Sequence, residues 1–151
     1  MKRLLICSLI LSFILALGIP ATLAAQPGPV QKHARYVIHR TAVVLVAAQK
    51  AALKGGDYAG LGRAVAHQNH ARKLFRDGFY VDAIYHSLRA RAIAADVITR
   101  NKADLVAEAR LDTLESRYAK KSPPDQDLDL AIKVKIDDDH TAAKLQIELD
   151  I

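Results

Sequence analysis

The 151 residues make one domain's worth of chain, 51% hydrophobic and net +6, with no Trp and a single Cys. No phosphate loop, dinucleotide fingerprint, Gly-x-Ser-x-Gly elbow or His-Glu-x-x-His pair occurs, so the enzyme classes those motifs carry are set aside and the chain is read as non-enzymatic. Abundant Ala and few aromatics point to a core of small side chains on closely packed helices.

Met1-Lys2-Arg3 precede an uncharged run from Leu4 to Ile19, Pro20 breaks it, and small residues follow to Ala24-Ala25. A basic start, an apolar stretch and a small-residue cleavage site are the pattern of an export signal over residues 1–25. The run falls short of the ~20 residues that span a bilayer. Cleavage would remove Cys7 and leave a cysteine-free protein without an Asn-x-Ser/Thr acceptor, expected in the periplasm or secreted. Export and the lack of interleaved aromatics argue against nucleic acid.

The mature chain divides into a body, 26–121, and a tail, 122–151. The body carries 17 Lys/Arg against 8 Asp/Glu and the tail 3 against 8, so the two attract each other within a chain or between chains. Membrane surfaces and envelope polyanions are further candidates for the basic body.

Within the body, Val37, Thr41, Val44, Ala48 and Ala52 recur at helical spacing and predict a first helix over 31–53, ended by Gly55-Gly56. Asp57 is placed to cap a second, over 58–76, with Leu61, Ala64, Val65, Ala71, Leu74 and Phe75 on its inner face. Asp77-Gly78 closes it, and a third begins near Tyr80 with Ala83, Ile84, Leu88, Ala92, Ala95 and Ile98 inward. From Ile98 to Leu111 the apolar phase is lost, which predicts a break near Asn101 and a fourth helix over 102–120.

Beyond Ser122-Pro123-Pro124 the period changes. Leu128, Leu130, Ile132, Val134 and Ile136 alternate with polar or small residues, as do Leu145, Ile147, Leu149 and Ile151. Period two predicts two strands joined by a loop over 137–144, with Lys133 opposite Glu148. A lone two-stranded ribbon is marginal in water, so it must pack on the helices or pair with a second copy in a homodimer. The expected fold is therefore mainly α: a three- or four-helix bundle followed by an acidic β-hairpin packed on it.

Of six histidines, His67 and His70 share a helix face at i and i+3, and a turn at Gly78 brings His86 level with His70. Three imidazoles there would suit Zn, Cu or Ni; the alternative is a set of hydrogen-bonded interface histidines with no cofactor. Ser87 beside His86 points about 100° away, so the two do not make a nucleophile–base pair. Arg89, Arg91 and Arg100 read as solvated or as partners of the acidic tail. Asp137-Asp138-Asp139-His140 lacks the glycine and closing Glu of an EF-hand loop and reads as a capping loop.

Ala71, Leu74, Gly78, Tyr80, Ala83, Ser87 and Ala90 resemble, in type and spacing, one tetratricopeptide helical hairpin over about 62–95, with Ala95 where that family closes on proline. The resemblance implies protein–protein interaction. The Ala-rich helices with recurrent His also resemble small periplasmic metal-binding helical proteins, which implies a metal held by His67, His70 and His86. The expected function is that of an exported interaction or accessory protein with a protein partner; the alternative is a periplasmic metal binder.

Overall fold

Each amphipathic stripe of the body can leave water only against another, and three long helices form from them. The computed structural model describes residues 28–132 and 139–149, and the expected export signal lies outside them. Helix α1 spans Pro29–Gly55, α2 Leu61–Arg76 and α3 Tyr80–Arg100. Pro29 opens α1 at a position where a missing N–H is harmless. Gly78 turns α2 into α3 at φ 88°, and the Phe79 N–H reaches back to the Leu74 carbonyl at 2.9 Å. A β-branched residue would be strained there.

Among the described residues the core has two apolar clusters. One joins Val44, Leu45, Ala48, Leu61, Ala64, Ile93 and Val97; the other joins Val37, Ile38, Ala71, Phe75, Ala83 and Ile84. Several of the buried polar side chains come from the same three helices, among them Thr41 of α1, Gln68 of α2, and Ser87 and Arg91 of α3. Ser87 Oγ lies 2.9 Å from Thr41 Oγ1 and 3.1 Å from Gln68 Oε1, and Gln68 Nε2 donates to the Ile38 carbonyl. Because each polar group needs its partner at one height, these bonds fix how the helices slide against each other.

Helix α3 ends at the expected break. The Asn101 amide donates to the Val97 and Asp57 carbonyls and accepts the Asp57 N–H, tying the end of α3 to the α1–α2 connection. Lys102 then takes φ 53°. The expected fourth helix over 102–120 is corrected: a 3-10 turn at Ala107–Ala109 is followed by α4 at Thr113–Ala119. A capping box, Asp112 on the Glu115 N–H and Glu115 on the Asp112 N–H, starts α4 eleven residues late.

The expected β-hairpin is overturned. Residues Asp125–Ala131 form helix α5, Asp139–Ala142 form helix α6, and no strand occurs among the described residues. Residues 133–136, 150 and 151 of the two expected strands lie outside them. The acidic first turn after Pro124 favours a helix there. On that helix, Leu128 is buried and Leu130 is 80% exposed, the opposite faces that a two-residue step gives a helix. Ala142 and Ala143 are buried in the first cluster. Among the described residues no helix is long and apolar enough to cross a membrane.

Candidate functional site

Two features gather polar side chains from separate elements: the histidine cluster between α2 and α3, and the face of α1 and α2 that carries the end of the tail.

His67, His70 and His86 do come together, because the turn at Gly78 sets α3 antiparallel to α2. His67 Nδ1 lies 3.0 Å from His86 Nδ1, and the His70 ring meets the His86 ring edge-on at 4.5 Å between centroids. His67 Nε2 sits 2.9 Å from Asp129 Oδ1 of α5. With His67 Nε2–H donating to Asp129, His67 Nδ1 is the bare acceptor and His86 Nδ1 carries the hydrogen between them. Burial, the largest cause, pushes both rings down to about 4, so both are neutral at pH 7. His70 is also lowered by burial.

Asp129 is held in turn by Arg89, whose Nε and Nη2 approach its two oxygens at 2.9 Å each. That fork, the largest cause, and the His67 bond hold the carboxyl down at about 2. The alternation over 128–136 puts Asp129 on the outer face of a strand, whereas α5 turns it to His67 and Arg89. On α5 it stands i,i+4 from Asp125, and Arg89 pairs with both. Among the described residues no three His, Cys, Asp or Glu side chains are arranged to hold a metal ion; the cluster offers two facing nitrogens.

Ser87 bonds away from His86, as its helix position requires. Arg100 pairs with Asp57. Arg91 is not solvated: it lies 1% exposed against Glu115 of α4, 0% exposed, with Nη1 and Oε1 2.7 Å apart. The contact is an ion pair without hydrogen-bond alignment. Glu115 Oε2 also accepts from Arg40 Nη1 at 2.6 Å. Of the acidic loop, Asp137 and Asp138 lie outside the described residues. Asp139 caps α2 from a distance, its oxygens accepting the Gly60 and Gly62 N–H groups at 3.2 and 2.7 Å, and His140 stacks on Tyr58.

The second feature was not visible in the sequence. Residues 145–149 run without helix or strand along α1 and α2, and side chains of those helices take hold of main-chain carbonyls. Gln49 Nε2 donates to Ala142 and Leu145 at 2.8 Å each, His39 Nδ1 lies 2.9 Å from the Leu149 carbonyl, and Arg72 donates to the Glu148 carbonyl and pairs with its carboxylate. A cavity of about 260 Å³ remains beside this arm, lined by Asn69, Arg72 and Arg76 of α2 and by Leu145 to Glu148.

No protein-family model, curated protein or solved structure matches the chain.

Proposed function

We propose that the chain is an exported, non-enzymatic accessory protein that works by binding another protein. The supporting observation is the seat on α1 and α2, where Gln49, His39 and Arg72 grip an extended segment by its carbonyls. Carbonyl recognition is independent of side-chain identity and is how surfaces that take extended peptides gain affinity. The resemblance of residues 62–95 to a tetratricopeptide hairpin is in keeping with the same reading, and the export pattern in the sequence of residues 1–25 supports a periplasmic or secreted protein. A photoreactive residue at Asn69 should give, in the source cell envelope, a crosslinked adduct of discrete mass that Arg72→Glu removes. Recovery of the uncrosslinked chain alone would overturn this reading.

The facing nitrogens of His67 and His86 favour a second reading, a metal binder. Neutral rings are competent donors, and a carboxylate behind a histidine, as Asp129 stands behind His67, is the usual support of a metal-bound imidazole. Zn, Cu or Ni would sit between the two Nδ1 atoms with the His86 proton carried on its Nε2 instead, and His70 would be a third donor. Calorimetric titration of the mature chain should then show one equivalent binding at about 10 µM or tighter. His86→Ala should abolish it. Heats no larger than dilution for all three cations would exclude the site.

A further inference from the structure

We propose that the seat on α1 and α2 accepts an extended, acid-bearing segment of a partner protein, and that residues 145–149 occupy it as an internal stand-in. The inference rests on the interaction reading above and names the chemistry of the partner.

The arm has the marks of a tenant rather than a core element. Upstream of it, Ala142 and Ala143 are buried and Asp139 caps α2, so the chain is anchored before the arm begins. Past that anchor, Leu145 and Leu149 are 43% and 44% exposed, and Ile147 alone of the arm packs against the core. The Glu148 side chain is 75% exposed while its partner Arg72 is 7% exposed, so this pair, with the Arg72 bond to the Glu148 carbonyl, is the main polar hold on the end of the arm. If the segment left, Ile147 would be its one side chain withdrawn from the core.

The seat is also wider than its tenant. The cavity beside the arm is bordered by Arg76 and Asn69, neither of which has a hydrogen bond or ion pair of its own among the described residues. A longer or more acidic segment would meet the Arg72 guanidinium where Glu148 now does and bring a second carboxylate or amide to Arg76 and Asn69. Charge favours such a guest, since the body carries 17 cationic side chains against 8 anionic ones. The arm itself displays the pattern that fits: aliphatic side chains at 145, 147 and 149, a carboxylate at 148, and carbonyls turned to Gln49, His39 and Arg72. While the arm is seated, a guest binds only the fraction of chains whose seat is empty, so its apparent affinity falls by that fraction.

The test uses the full mature chain and a fluorescent peptide with the chain's own sequence from Ala143 to Ile151, read by polarisation. In Glu148→Lys the arm loses its carboxylate and places a cation beside Arg72, which should empty the seat. The peptide should bind this variant about tenfold or more tightly than the wild type. Adding Arg72→Glu should abolish binding, because the arm regains an opposite charge while the peptide's Glu is repelled. Equal binding to wild type and Glu148→Lys, binding indifferent to residue 72, or no binding would each overturn the inference. Elution of the wild type as a dimer that Glu148→Lys dissolves would also overturn it, in favour of a second copy as occupant. A persistent Asn69 crosslink alongside a failed peptide test would leave the interaction reading standing and remove only this account of its partner.

Discussion

Glu115→Gln is expected to destabilise the protein by about 3–5 kcal/mol, a large share of the ~5–15 kcal/mol that holds a domain of this size together. The substitution keeps volume and shape and removes one charge. It leaves the Arg91 guanidinium, 1% exposed, without its counter-ion, and removes the carboxylate that Arg40 Nη1 meets at 2.6 Å. Arg91 has other partners, Thr41 Oγ1 at 3.1 Å and the Val37 carbonyl at 3.0 Å, but neither carries a negative charge. Burial already lowers the Arg91 pKa, with Glu115 acting against it. Paired replacement, Arg91→Met with Glu115→Leu, should recover part of the loss: the apolar pair needs no desolvation and Arg40 keeps Asp112, but the Asp112 N–H loses its Glu115 partner. Urea denaturation of Arg91→Met, of Glu115→Leu and of the double variant measures the coupling directly. A Glu115→Gln midpoint indistinguishable from wild type would show that water reaches the pair.

That ion pair also shows where sequence reading stopped. The three long helices were legible because burial in a bundle imposes a three- and four-residue period, and Val37, Thr41, Val44, Ala48 and Ala52 are all buried as that period requires. Small residues carry less information: Ala92 was assigned inward and is exposed, since alanine is tolerated on either face. The phase loss after Ile98 locates the break, and Leu111, Leu114 and Tyr118 stand at the three- and four-residue spacing of an apolar seam. The residue that α4 buries is Glu115. A buried charge is invisible to a hydrophobic pattern, although Asp112-x-x-Glu115 spells a capping box and would have marked the start of α4.

The tail was misread for a different reason. Alternation predicts a strand only if a neighbouring strand supplies the ladder, and the carbonyls at 142, 145, 148 and 149 are taken instead by side chains of α1 and α2. At 125–131 the same alternation met a proline, acidic residues in the first turn and a place to bury Leu128, and became helix. Both outcomes depend on what the body offers the tail. The histidine cluster was legible in three of its members because a hairpin turn at Gly78 follows from local sequence. Its fourth member, Asp129, depended on the tail's conformation and was lost with it.

Acid is expected to loosen the fold well above the range in which carboxylates titrate, and the histidine cluster sets that range. Folding lowers the His67 and His86 pKa values from 6.5 to about 4, so between those limits the unfolded chain binds more protons than the folded one. Stability then falls as pH falls through that window; neither ring contributes above it, and the loss is complete below about pH 4. Each ring can contribute up to roughly 1.4 kcal/mol per pH unit within the window. Protonating both would place two cations where the nitrogens are 3.0 Å apart, with Arg63 and Arg89 nearby opposing the charge and Asp129 alone favouring it. Asp129 acts later and in the same direction, since its pKa is lowered from 3.8 to about 2 and its contribution is lost as pH falls between those values. Urea midpoints of the mature chain should therefore drop between pH 6.5 and pH 4.5. His86→Gln should reduce that drop, because it removes one of the two titrating rings and leaves a neutral donor beside His67. A wild-type midpoint that holds constant to pH 4.5 would mean that the rings take up protons in the folded chain as readily as in the unfolded one, and that the cluster is open to water.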